Sequence, residues 1–95
     1  MRDYEFMFIV HPDVDEAGIS GVVDTVSGLV TGGSGQVLDV KVWGRRRLAH
    51  PIKKQHDGTY VMMNTQLQPK AIPELEHELK LNENILRYIL VRAEA

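Results

Sequence analysis

The side chains best suited to chemistry form one basic segment near the middle of the chain. Residues 40–56 hold six lysines and arginines and no aspartate or glutamate. The chain as a whole has 11 basic and 13 acidic residues, which leaves five basic and 13 acidic residues elsewhere. A basic patch on an otherwise acidic body orients a protein on a polyanion, even though the formal net charge is only -2. The six are Lys41, Arg45, Arg46, Arg47, Lys53 and Lys54.

The three consecutive arginines favour a phosphate-binding interpretation. Guanidinium groups bind phosphate through paired hydrogen bonds, and no acid in the segment neutralises them. We call Arg45, Arg46, Arg47, Lys53 and Lys54 the basic ridge, and we predict that it contacts phosphates. A second interpretation remains open, because charged side chains on an edge strand also prevent unwanted strand pairing.

The other reactive side chains form no catalytic motif. Cysteine is absent, which removes thiolate nucleophiles, thiolate metal sites and disulfides. The serines lack a G-x-S-x-G elbow. The acidic loop at 11–18 would repel phosphate, unlike the phosphate-cradling loop of small acylphosphatases. His50, His56 and Asp57 are close in sequence, but one histidine pair is weak evidence for a metal. We predict no enzyme activity, metal, cofactor or small-molecule substrate.

Strands and helices in the order β-α-β-β-α-β must position the basic ridge. Alternating patterns predict strands over 2–10, 36–43, 59–67 and 85–92, with the second continuing past Gly44 through the arginines. Helical spacing predicts helices over 15–31 and about 70–81. Asp13 or Asp15 is expected to cap the first helix, and Asn82 to close the second in a left-handed conformation. Asp57-Gly58 has the composition of a turn.

This order predicts one α+β domain over residues 1–95, with a ferredoxin-like βαββαβ fold. Its antiparallel sheet has four strands, and both helices cover one face. The uncovered face should be polar, yet the strands carry apolar residues on both faces, which is typical of a partner surface. We expect a partner to bind Met7, Ile9, Val42, Met62 and Ile89. RNA-recognition motifs share the topology, but "DGTYVMMN" (57–64) lacks their paired aromatics.

Several features predict a cytoplasmic protein that does not associate with membranes. No apolar run approaches the length of a membrane span. Asp3 and Glu5 interrupt any signal-peptide pattern near the N-terminus. The lack of cysteine suits a reducing compartment.

Three segments resemble the bacterial small-subunit ribosomal protein number six family. They are "MRDYEFMFIVHPD" (1–13), "GRRRLAHPIK" (44–53) and "LNENILRYILVR" (81–92). The middle segment is the most specific, and the resemblance extends over essentially the whole chain. One position departs from the family pattern, since His50 stands where the family usually has tyrosine.

The resemblance implies a structural constituent of the small ribosomal subunit. Such a protein binds the central domain of 16S rRNA together with small-subunit ribosomal protein number eighteen, as a heterodimer. By position, the resemblance implies that Arg2, Tyr4 and Arg87 contact RNA or the partner, beside the basic ridge. The alternative function is a stand-alone homodimeric binding or regulatory module, in which the uncovered face forms the dimer and the arginines maintain solubility.

Overall fold

The computed structural model describes residues 1–93 and has the predicted order of elements. The four strands form one antiparallel sheet in the order β2-β3-β1-β4, so β2 and β4 are its edges. This arrangement confirms the predicted α+β, ferredoxin-like architecture. The elements are β1 (Arg2–Val10), α1 (Glu16–Gly32), β2 (Gln36–Ile52), β3 (Gln55–Leu67), a 3-10 turn (Pro69–Ala71), α2 (Ile72–Leu81) and β4 (Ile85–Arg92).

The main core lies between the two helices and one face of the sheet, which we call the helix face. Phe6 and Phe8 of β1 pair with Met63 and Val61 of β3, and all four side chains are fully buried. Both helices turn their apolar stripes toward these residues. The helical members of the cluster are Val22, Val26, Val30, Leu75 and Leu79. The opposite side of the sheet, which we call the open face, is not covered by a helix.

Side-chain hydrogen bonds mark the start of α1 and the chain segment that follows α2. The Asp15 carboxylate accepts a hydrogen bond from the Gly18 amide at 2.8 Å, which confirms one of the two predicted caps of α1. The predicted left-handed Asn82 is wrong, because its backbone is extended with φ -80°. Its side chain instead accepts a hydrogen bond from the Asn84 amide at 2.9 Å and so starts the turn into β4.

No described helix is long and apolar enough to span a bilayer.

The β2–β3 hairpin is longer than its sequence pattern suggests. Its tip is Lys53–Lys54, two residues with φ of 50° and 67°, and Ile52 pairs with Gln55 across it. The predicted turn at Asp57-Gly58 is therefore wrong, since both residues lie within β3. Gly58 has a packing role, because a Cβ there would lie 2.5 Å from the Ile9 side chain.

The outer part of the hairpin bends toward the open face. Residues 48–51 of β2 occupy the ladder opposite a single β3 residue, between the pairs Arg47–Asp57 and Ile52–Gln55. The extra residues bend the strand in the manner of a large bulge. As a result Leu48 packs on Ile9 and Leu86, and together they form a second buried cluster.

Candidate nucleic-acid interface

The three arginines of the basic ridge lie on the edge strand β2, where only β3 is a neighbour. Arg45, Arg46 and Arg47 pair with Thr59, Gly58 and Asp57, and all three arginines are exposed. Strand alternation directs Arg46 to the face opposite Arg45 and Arg47. The ridge therefore presents cations to both sides of the sheet edge.

Asp57 neutralises one of these cations. The Arg45 Nε donates a hydrogen bond to Asp57 Oδ2 at 2.9 Å. The sequence pattern missed this pairing because Asp57 lies just beyond the basic segment, and the β3 register brings it back beside Arg45. No carboxylate in residues 1–93 lies within 4.0 Å of Arg46 or Arg47. These two arginines are the uncompensated part of the triplet.

A second basic site forms where the hairpin tip meets the end of α2. Lys53, Lys80 and Arg87 line one shallow depression of about 380 Å³, and no acidic side chain lines it. Lys53 and Arg87 were predicted as RNA contacts, whereas Lys80 was not. A lysine in the last turn of a helix is favoured by the helix dipole alone, so its sequence position carried no functional signal. Lys54 is exposed beside Lys53 at the tip.

Arg2 and Tyr4 do not join the basic ridge. Arg2 pairs with Leu67, which lies ten residues, or about 33 Å, along β3 from the partner of Arg47. Tyr4 is only 8% exposed and belongs to the main core. With so little of its surface exposed, Tyr4 gives the predicted contact with RNA or the partner no support.

The apolar part of the open face is smaller than predicted. Met7 lies between Met62 of β3 and Ile89 of β4, and these three form a continuous patch. Ile9 lies on the same face but is covered by Leu48, so it is only 8% exposed. The placement of Val42 there was wrong, because Val42 pairs with the core residue Val61 and so lies on the helix side. The sequence prediction missed Val91, which is exposed beside Ile89 on the same side of β4.

A groove connects this apolar patch to the basic site. It has a volume of about 330 Å³ and runs between residues 48–52 of the bent hairpin and the open face of β1 and β4. His50 lines it with Arg87, and both are exposed. Burial raises the pKa of Tyr88, another lining residue, and the nearby Glu76 carboxylate raises it further.

Trp43 was not among the predicted contacts, but the structure sets it apart. Val42 pairs with Val61 and Gly44 with Tyr60, so Trp43 is the unpaired residue of a β-bulge. Gly44 has φ 94°, a conformation that favours glycine. The Arg46 guanidinium lies over the Trp43 ring, 5.7 Å from its centroid.

Metal chemistry has no support in the part of the chain that the structure describes. Within it, no three histidine or acidic side chains are grouped closely enough to hold an ion. His50, His56 and Asp57 therefore do not form the site that their spacing left open.

Comparisons with known proteins agree on one family. The family model described as Ribosomal protein S6 matches residues 3–92. The small ribosomal subunit protein bS6 of Acidothermus cellulolyticus is 41% identical over 95 residues, covering 100% of this chain and 99% of that protein. The bS6 protein of Streptomyces griseus is 40% identical over 94 residues, covering 99% and 98% of the two chains. The crystal structure of 30S ribosomal protein S6 from Thermotoga maritima superposes with a TM-score of 0.90 at 29% identity, covering 97% of this chain and 87% of that one.

Proposed function

The chain belongs to the ribosomal protein S6 family and is a structural constituent of the small ribosomal subunit, and from this premise we propose that it binds rRNA through its basic ridge. The family consists of structural ribosomal proteins rather than enzymes, which agrees with the predicted lack of catalytic activity. A constituent of the ribosome is associated with it in the cytoplasm. Family membership favours this function over the stand-alone module.

The RNA-binding proposal is carried by the exposed, uncompensated Arg46 and Arg47 on an edge strand. An edge strand is accessible along its whole outer side, so a phosphate backbone can approach it without displacing protein. The second basic site of Lys53, Lys80 and Arg87 extends the cationic surface toward the end of α2. Phosphate contacts of this kind fix the position of a protein on RNA but do not read its sequence. Selectivity then depends on the shape of the RNA.

We further propose that the RNA is the 16S central domain and that small-subunit ribosomal protein number eighteen binds the open face. The apolar patch of Met7, Met62 and Ile89 supports a protein contact, since Ile89 is 48% exposed and the neighbouring Val91 is also exposed. Exposed apolar groups in contact with one another are typical of binding surfaces. The groove beside Arg87 joins this patch to the cations, so one partner and one RNA can meet there.

The ridge is tested with a triple variant in which Arg45, Arg46 and Arg47 become alanine. The heterodimer is mixed with a central-domain rRNA fragment, and affinity is measured at several salt concentrations. Each lost phosphate contact should reduce the slope of log K against log salt by about 0.7 to 0.9. We expect weaker binding and a shallower slope for the triple variant.

Replacing three arginines also changes the net charge, so a matched control is needed. Changing Lys70 in the 3-10 turn to glutamate and the exposed Ser20 of α1 to aspartate lowers the net charge by the same three units outside the ridge. These changes should affect the slope less than the triple change does. An unchanged affinity and slope in the triple variant would contradict RNA binding by the ridge.

A further inference from the structure

We propose that Trp43 is a stacking platform for an unpaired nucleobase of the RNA, with Arg46 binding the adjoining phosphate. This inference rests on the proposed RNA binding and adds a different kind of contact to it. The ridge alone offers only cations, which bind any phosphate backbone. A base stacked on Trp43 would require a single-stranded or unpaired nucleotide at that point.

The position of Trp43 is unusual for a residue of its type. Tryptophan is highly buried on average, yet Trp43 is 44% exposed and belongs to neither core cluster. The bulge at Trp43 and Gly44 removes it from the regular ladder of β2. Bulges commonly redirect a side chain at functional sites. The indole therefore lies outside both core clusters, and a large part of its surface is available to a ligand.

The neighbours of Trp43 match the two parts of a nucleotide. Arg46 lies over the ring at 5.7 Å from the centroid, which holds a cation against the π system. Aromatic rings stack on bases of any sequence, and arginine binds phosphate. Arg46 has no carboxylate within 4.0 Å among residues 1–93, so it remains available for phosphate. A base on the indole and a phosphate on the Arg46 guanidinium would thus be bound by two side chains that already contact each other.

The surrounding charge favours RNA over a protein as the occupant. Lys41, Arg45, Arg46 and Arg47 flank Trp43 in sequence, and no acid interrupts them. The apolar patch suited to a protein partner centres on β1 and β4, whereas Trp43 lies on β2 at the opposite edge of the sheet. A protein partner on that patch would not need Trp43.

The first test compares Trp43→Phe, Trp43→Leu and Trp43→Ala in the heterodimer, using a labelled central-domain rRNA fragment. Loss of one base–aromatic stack should weaken binding by roughly tenfold for Leu and Ala. Phe keeps a π face and should retain most of the affinity. The salt slope should stay at the wild-type value in all three, because no phosphate contact is removed. Equal affinities for the Phe and Leu variants would overturn the stacking inference.

The second test uses the fact that Trp43 is the only tryptophan of the chain. Incorporating 5-fluorotryptophan into this chain alone gives one fluorine signal, which is followed by NMR as the partner and then the RNA are added. A base stacked on the ring should shift the signal upfield when RNA is added. An abasic oligonucleotide of about eight units is the control, because it keeps the phosphates but has no base to stack. Its length is within the range that single-strand-binding proteins occupy, and it should not cause this shift. A shift that appears with the partner protein alone would show a protein contact and overturn the inference.

The two proposals fail in different ways. If the wild-type and Trp43→Leu complexes bind RNA equally well while the triple arginine variant binds weakly, only the stacking inference falls. If the triple arginine variant binds like the wild type, RNA binding by the ridge falls, whatever the tryptophan variants show.

Discussion

At the scale of single residues, the pairing of Arg45 with Asp57 divides the arginine triplet into unequal members. The two side chains are 59% and 41% exposed, so their ion pair is a solvated one that adds at most about 1 kcal/mol to stability. Its larger effect is on the charge of the ridge, because it places a negative carboxylate beside the arginines. Asp57 would therefore repel a phosphate that approached Arg45.

Replacing Asp57 with asparagine should strengthen RNA binding. The change removes the negative charge beside the ridge and frees Arg45 for phosphate, so we expect a several-fold gain in affinity and a salt slope steeper by about 0.7 to 0.9. Unfolding in urea should show a loss of no more than about 1 kcal/mol. Asp24→Asn makes the same change in net charge on the exposed side of α1 and serves as the control. Equal affinities for the two variants would contradict a local effect of Asp57.

At the scale of elements, the tip of the β2–β3 hairpin has a strained backbone, because its two residues are not of the types that prefer this turn. Two-residue hairpin turns of this type favour asparagine and glycine, because both central residues have positive φ. Lys53 and Lys54 occupy these positions instead, with φ of 50° and 67°. A left-handed conformation costs about 1–2 kcal/mol for an ordinary residue. Strained residues are often kept for function, so we infer that the two lysine charges at the tip have a role that outweighs this strain.

The double change Lys53→Asn and Lys54→Gly should separate stability from RNA binding. Relief of the strained turn should raise the free energy of unfolding by about 1–2 kcal/mol, measured by urea denaturation. Loss of the two cations should weaken RNA binding and lower its salt slope. Changing both lysines to glutamine removes the same charges without relieving the turn. The glutamine variant should thus lose RNA affinity without gaining stability, and a stability gain equal to that of the first variant would contradict the role of strain.

The same hairpin marks how far sequence patterns could predict the elements. Alternation was enough to predict all four strands, including the passage of β2 through the arginines. The turn was misplaced because Asp-Gly is a strong local signal, whereas the glycine is required by a contact with Ile9, more than 40 residues away. For the same reason the covering of Ile9 by Leu48 could not be predicted, since the bend at 48–51 has no local signature. Long-range contacts also bury Tyr4 in the main core and place Val42 on the helix side of the sheet.

At the scale of the whole molecule, the arginine triplet and the apolar patch occupy different parts of one sheet. The arginines follow the β2 edge, and the apolar patch centres on β1 and the opposite edge strand β4. The two sites differ in their physics, because phosphate binding weakens with salt whereas apolar burial does not. Changes to one surface should consequently leave the other intact.

Met62→Glu should weaken the heterodimer without unfolding the chain. The carboxylate would be placed in the apolar depression shared with Met7 and Ile89, where burial of a charge is costly. We expect at least a tenfold loss of affinity for protein number eighteen by calorimetry, equivalent to about 1.4 kcal/mol. Asn64→Glu adds the same charge on the same face of β3, outside that depression, and should have a smaller effect.

The outcome also distinguishes the alternative function. A heterodimer unaffected by Met62→Glu would contradict a partner on this patch. A homodimer of the isolated chain in sedimentation, dissociated by the same change, would favour the open face as a contact between two copies.

The sheet order has a consequence for the time at which this protein folds during its synthesis. β1 is synthesised before the other three strands, and its two neighbours are β3 and β4. Both of its edges can be paired only after residues 59–67 and then 85–92 have been synthesised. Until β4 emerges from the translating ribosome, Phe6 and Phe8 belong to a strand with one open edge. The nascent chain is then a target for chaperones and for pairing with other chains. Completion of the fold is thus tied to the emergence of its final strand.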